Sequence, residues 1–151
     1  MIGTLIATVI MCAYLGWYIR SYGVPGSISQ TVFMLPHECI FTAIMFAVGF
    51  LTIIPMIDHC SENTKVLAFL TIAGMMFVGA APLGKNCDER VHLGGALFFG
   101  ISSQIMLALN KPVLLSVWVP MAVILIAVKG SNFLFWAELA CIADLLIYCL
   151  W

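Results

Sequence analysis

The chain has 151 residues, of which 64% are hydrophobic and only 9% are charged. A soluble domain carries roughly a quarter charged residues, so a water-soluble globular fold is excluded, and disorder is excluded because it needs low hydrophobicity and high charge. The net charge of −1, with six Lys plus Arg, excludes nucleic acid as a partner, because nucleic-acid binding needs a basic surface.

The charged residues divide the chain into apolar stretches, each about long enough to cross ~30 Å of hydrocarbon at ~1.5 Å per residue. None alternates apolar and polar residues as a β-barrel strand would. We therefore predict an all-α, polytopic integral membrane bundle of six transmembrane helices with short loops, forming one domain over residues 1–151. The six predicted spans are residues 1–19, 39–57, 66–84, 91–110, 112–128 and 133–151.

The first predicted span is followed by a long loop. Residues 1–19 lack a basic leading region and a small-x-small cleavage site, so we expect a retained helix rather than a signal peptide. In the loop of residues 21–38, Gly and Pro predict a turn in the first half. The second half is amphipathic, which allows it to lie at the membrane interface or to fold back into the bundle.

An even number of spans places both termini on one side of the membrane. The bias of Lys and Arg toward the cytoplasm then predicts that the odd-numbered loops are cytoplasmic and that both termini lie outside. The odd-numbered loops carry Arg20, Lys85, Arg90 and Lys129, and the even-numbered loops carry Lys65 and Lys111.

One group of polar residues is predicted deep inside the bundle. Asp144 lies roughly 18 Å from the start of the sixth span by helical rise, and Gln104 reaches a similar depth in the fourth span beside Ser102 and Ser103. Ionisable groups at such depth are functional candidates. The layer is either a proton or solute relay or a structural contact between helices.

A second polar group is predicted near the odd-numbered loops. Glu138 lies about 9 Å inside the sixth span, and His37, Glu38 and His92 begin their spans at the same side. Small and polar residues recur at helical spacing on the second, fourth and sixth spans, as expected where membrane helices meet. We predict a seam between these spans with the four side chains at its mouth.

This mouth allows several chemistries. His37, His92 and Glu138 are a candidate ligand set for zinc, a His and a carboxylate are candidates for acid–base work, and hydrated side chains at helix starts are the structural alternative. Haem is disfavoured, because His37 and His92 share one surface while His59 lies in a loop on the other. The ligand-binding candidates are therefore His37, Glu38, His92, Glu138, Asp144 and Gln104.

Two of the six cysteines lie toward the side opposite this mouth. Cys60 and Cys149 would be able to form a disulfide if that side is oxidising. The alternative is that all of the thiols are free.

Three stretches carry a family resemblance: Ser27-Ile28-Ser29-Gln30-Thr31-Val32-Phe33, Val78-Gly79-Ala80-Ala81-Pro82 and Val91-His92-Leu93-Gly94-Gly95-Ala96-Leu97-Phe98-Phe99. The chain resembles small, uncharacterised six-span membrane proteins, distantly like the DRAM-type autophagy modulators and bacterial relatives of unknown function. This resemblance implies six spans, with an apolar third span ending in Pro and a His followed by small and aromatic residues.

Some of that group resembles the ceramidase and progestin-receptor-like membrane hydrolases, which use several His, an Asp and a Ser around a metal. By this resemblance His37 and His92 match two of the His positions, and Asp144 or Glu138 matches an acid. A third His is missing from that side, because His59 is predicted on the opposite face.

We therefore expect a multi-pass membrane protein that binds a small solute or a lipid headgroup at a polar mouth, with membrane lipids as partners. The alternatives are a metal-dependent membrane hydrolase of an amphiphilic ester or amide, and a structural or partner-binding membrane module. The sequence leaves open whether the chain is an enzyme and whether it forms a homo-oligomer.

Overall fold

The computed structural model describes residues 1–83, 89–127 and 132–151, and all regular structure in these ranges is helical. The all-helical prediction is thus confirmed for this part of the chain. Short 3₁₀ helices cover Ser29–Met34, Glu62–Thr64 and Pro112–Val117. The α-helices are α1 (Ile2–Tyr22), α2 (Cys39–His59), α3 (Lys65–Ala80), α4 (Glu89–Asn110), α5 (Trp118–Ala127) and α6 (Phe133–Leu150).

Five helical segments are long and apolar enough to cross a membrane. They are α1, α2, the combined segment Glu62–Ala80, α4 and α6, and they match five of the six predicted spans. Two of the cations on which the predicted orientation rests, Lys85 and Lys129, lie outside the described residues.

The fifth predicted span has a different structure from the others. It begins as the 3₁₀ helix Pro112–Val117 and continues as α5, which has only 10 residues in its described part. Pro120 supplies the reason, since proline has no N–H and its ring clashes with the carbonyl four residues earlier, here that of Ser116. An α-helix can therefore begin at Trp118, with Pro120 in its first turn, but cannot run through Ser116 in ideal form.

The closest helix crossing joins α3 and α4 through two glycines. A Cβ on Gly74 would lie 2.7 Å from the Gly95 carbonyl oxygen, and one on Gly95 would lie 2.9 Å from the Gly74 carbonyl oxygen. Because backbone atoms cannot move aside as a side chain can, only glycine allows this approach. Helix α6 packs against α1, α2, α4 and α5, so its side chains reach the centre of the bundle.

Candidate functional site

The first loop folds back into the bundle and is attached to the beginning of α6. The Glu138 carboxylate accepts a hydrogen bond from the Ile28 N–H at 2.5 Å and one from the Ser29 hydroxyl at 3.2 Å. Nearby, the Phe135 N–H donates to the Gly26 carbonyl at 3.0 Å. Of the two alternatives for this loop, the structure therefore has the folded-back one.

A second attachment joins the same loop to α1. The Thr31 hydroxyl is fully buried and donates to the Ile28 carbonyl at 2.5 Å. Its oxygen is hydrogen-bonded to the Tyr14 hydroxyl. Because Thr31 has only one hydroxyl proton, Tyr14 is the donor in that second bond. The loop is thus held by Glu138 on one side and by Tyr14 on the other.

A cavity of about 240 Å³ lies between α2, α3, α4 and α6, in the half of the bundle next to this loop. Its walls are almost entirely apolar, and the polar exceptions are Ser29, Glu138 and the thiol of Cys141. The lining residues are Ile28, Ser29, Phe41, Met45, Met75, Val78, Leu93, Ala96, Leu97, Phe99, Gly100, Leu134, Ala137, Glu138, Cys141 and Ile142. The arrangement allows an apolar group to bind with a polar end beside the carboxylate.

The other residues of the predicted mouth lie outside this lining. His92 is buried, and its Nδ1 is 2.7 Å from the Ala81 carbonyl oxygen, so it ties the beginning of α4 to the end of α3. His37 and Glu38 have exposed side chains, and their carbonyl oxygens accept hydrogen bonds from the first turn of α2. The cavity therefore contains Glu138 from the predicted mouth, but not these three.

The predicted zinc ligands His37, His92 and Glu138 do not come together as a metal site. Over the described ranges, no group of three or more His, Cys, Asp or Glu side chains has an arrangement that could hold a metal ion. His92 and Glu138 each have other hydrogen-bond partners, as described above, and His37 is on the outside of the bundle.

The deep polar layer is partly assembled. Gln104 accepts a hydrogen bond from the Trp118 indole N–H at 2.8 Å, and its side chain is close enough to Asp144 to interact with the carboxyl group. Asp144 is fully buried, yet neither of its oxygens nor Gln104 Nε2 has a hydrogen-bond partner among the described residues. Ser102 bonds instead to Thr71 of α3, at 3.0 Å.

The two cysteines considered for a disulfide are free thiols. The Tyr148 hydroxyl donates to Cys60 Sγ at 3.5 Å, and Cys149 Sγ donates to the Thr52 carbonyl at 3.9 Å. Each sulfur thus has its own partner at this end of the bundle.

Some residues of these contacts were not expected from the sequence. The shorter of the two hydrogen bonds to Glu138 comes from the Ile28 backbone N–H, and a backbone donor has no signature in a sequence. Tyr14 and Trp118 were assigned to no site, although Tyr and Trp that are buried usually find a hydrogen-bond partner, and that rule is the signal that would have identified them.

Comparison of the chain with protein-family models, with curated proteins and with solved structures gives no match.

Proposed function

We propose that this chain is an integral membrane protein of six spans that binds a small amphiphile in the cavity beside Glu138. The apolar part of the ligand occupies the space between α2, α3, α4 and α6, and its polar end lies at Ser29 and Glu138. The observation that carries the proposal is an apolar cavity with one carboxylate in its wall.

Membrane insertion is supported by the outer surface of the bundle as well as by helix length. Large apolar side chains are widely exposed, among them Phe50 at 62%, Phe98 at 54% and Ile126 at 79%. A soluble monomer rarely exposes large contiguous apolar patches, whereas lipid tails solvate such side chains.

A sixth span is supported by the length of its two parts taken together. Six residues of 3₁₀ helix at ~2.0 Å per residue and ten residues of α5 at ~1.5 Å per residue give roughly 27 Å, close to the ~30 Å of a hydrocarbon core. The larger rise per residue of the 3₁₀ helix Pro112–Val117 therefore compensates for the small number of residues in α5. With six spans, the distribution of Lys and Arg favours cytoplasmic odd-numbered loops, which puts the cavity in the cytoplasmic half of the bundle.

The size and chemistry of the cavity define the ligand class. An apolar cavity of about 150 Å³ holds one benzene molecule, so about 240 Å³ accommodates a ring with a short substituent or a short alkyl chain. A carboxylate accepts about four hydrogen bonds, and the Ile28 N–H and the Ser29 hydroxyl supply two of them to Glu138. The ligand that fits therefore ends in a hydrogen-bond donor, such as a hydroxyl or an ammonium group, rather than in an anion.

Photo-crosslinking in lipid nanodiscs tests this assignment. The probe is an alkyl alcohol of eight to ten carbons that carries a diazirine, and crosslinked residues are identified by peptide mass spectrometry. We expect labels on the α4 and α6 residues of the cavity, and weaker labelling by the matching alkyl carboxylate, because its charge is repelled by Glu138.

Two glycines of α4 provide a matched pair of variants. Gly100 lines the cavity and Gly94 lines a groove on the outside of α3 and α4, and a Cβ on either would meet no atom within 4 Å. Gly100→Leu fills the cavity and should abolish the labels there, whereas Gly94→Leu should retain them. Equal labelling of the cavity residues in the two variants, or labels confined to the outer groove, would refute the proposal.

A further inference from the structure

The structure also contains a buried acid, Asp144, that does not line the cavity. Asp144 is 0% exposed, and both of its carboxyl oxygens are without a hydrogen-bond partner in the described part of the chain. An ionised carboxylate without a partner is very unfavourable in an apolar interior, and gaining a proton removes that cost. We propose that Asp144 is a proton-binding residue, loaded and unloaded from the side of the cavity.

Among the described residues, the surroundings of Asp144 contain donors and thiols but no cation. The Gln104 amide is the neighbouring side chain that acts on the carboxyl group, and Cys141, one turn earlier on α6, is a titratable group near it. Tyr148 follows one turn later. The charged side chains on the described parts of the helices packed against α6 lie in terminal turns: Arg20 on α1, Asp58 and His59 on α2, and Glu89, Arg90 and His92 on α4.

Gln104 cannot replace the proton as the partner of Asp144. Its carbonyl oxygen accepts the Trp118 N–H, and because an indole nitrogen only donates, the orientation of the amide is fixed. One neutral amino group is then left for Asp144, and it forms no hydrogen bond at the observed geometry. A single neutral donor does not offset the cost of a buried negative charge.

A purely structural role does not fit the geometry of Asp144. Polar side chains that join helices here make well-formed bonds: the Thr42 hydroxyl donates to the Gly79 carbonyl at 2.7 Å, and Asn110 Nδ2 donates to Thr64 Oγ1 at 3.0 Å. Asp144 makes no bond of this geometry: the Gln104 amide of α4 is close enough to act on its carboxyl group but does not form a regular hydrogen bond with it. Binding of a ligand larger than a proton or a water molecule at Asp144 is disfavoured, because neither Asp144 nor Gln104 is among the residues that line the cavity.

The cavity provides the route for the proton. Its wall includes Cys141 on α6 and Gly100 on α4, and Asp144 and Gln104 lie three and four residues further along the same helices. The helical rise places them about 4.5 and 6 Å beyond these lining residues. The acid therefore lies about one helical turn beyond the residues that line the cavity.

Labelling with a hydrophobic carbodiimide tests the proposal on the intact protein in detergent or nanodiscs. The protonated carboxyl transfers its proton to a carbodiimide nitrogen while its oxygen attacks the central carbon, and acyl migration leaves a stable N-acylurea. Peptide mass spectrometry of the wild-type chain should locate this adduct on Asp144. The extent of labelling should fall as the pH is raised, since the reagent needs the acid form.

Infrared difference spectroscopy between low and high pH gives a second readout. The C=O stretching band of a protonated carboxylic acid should be present at low pH, shift in D2O, and disappear in Asp144→Asn but not in the control Glu138→Gln. The proposal would be overturned if Asp144 remained unlabelled at every pH while circular dichroism showed that the protein was still helical. So would labelling that does not change with pH. Because the labelling uses the wild-type chain, the result does not depend on how well Asp144→Asn folds, and it is independent of ligand binding beside Glu138.

Discussion

The attachment of the first loop to α6 depends on the charge of one residue, which Glu138→Gln removes while keeping the shape of the side chain. The carboxylate accepts the Ile28 N–H and the Ser29 hydroxyl on different oxygens. The Gln side chain retains one oxygen as an acceptor. Its amino group replaces the second oxygen and faces the donor that this oxygen bound, with which it cannot form the same hydrogen bond. Hydrogen bonds to a charged group contribute about 1.5–3 kcal/mol, so losing one should lower the free energy of local opening by that amount.

Hydrogen–deuterium exchange measured by mass spectrometry gives the assay for this variant. At about 1.4 kcal/mol per factor of ten, exchange in the peptide that contains Ile28 and Ser29 should become about 10- to 150-fold faster. Ser29→Ala is the graded control, because it removes only the 3.2 Å hydroxyl bond and should accelerate the same peptide less. Peptides from the α3–α4 contact should be unchanged. Unchanged exchange of the loop in Glu138→Gln, or equal acceleration of all helices, would refute the reasoning.

Three further substitutions test contacts outside the loop. Gly74→Ala places a Cβ 2.7 Å from a backbone oxygen of α4, so it should destabilise the protein by about 1–3 kcal/mol in denaturant titrations, whereas Gly16→Ala meets no atom within 4 Å and should not. Thr42→Val removes the 2.7 Å bond to the Gly79 carbonyl and should cost about 0.6–1.7 kcal/mol in the same assay; no change would show that this bond does not stabilise the bundle. His92→Ala removes the bond to the Ala81 carbonyl, directly after the end of α3, and should accelerate hydrogen exchange at the beginning of α4, with little effect on α1.

The positions of the long helices follow from the sequence because charged residues end the apolar runs. The second and fourth spans were predicted at residues 39–57 and 91–110, and the helices are Cys39–His59 and Glu89–Asn110. Hydropathy does not predict the 3₁₀ start of the fifth apolar segment, because it does not register the backbone effect of Pro120. Composition thus predicts where the apolar segments lie, but not how this one is wound.

The site was harder to predict than the helices because its partners are set by tertiary folding. Glu138 was expected beside His37 and His92, on the argument that all three lie near one surface. In the structure it is bonded to Ile28 and Ser29, since the first loop folds inward and presents backbone N–H groups that need acceptors when they are buried. Depth along a helix can be estimated from a sequence, but which neighbour turns toward a side chain cannot.

The polar residues of α6 separate into two roles by their partners rather than by their depth. Glu138 accepts hydrogen bonds from the Ile28 N–H and the Ser29 hydroxyl, so it organises the loop and one wall of the cavity. Asp144, six residues further along the helix, has no partner among the described residues. Six residues of α-helix correspond to about 9 Å, and Cys141 lies between the two acids and lines the cavity. A ligand in the cavity would lie between Asp144 and the end of the bundle at the first loop, so its binding should slow proton exchange at Asp144 without contacting the carboxyl group.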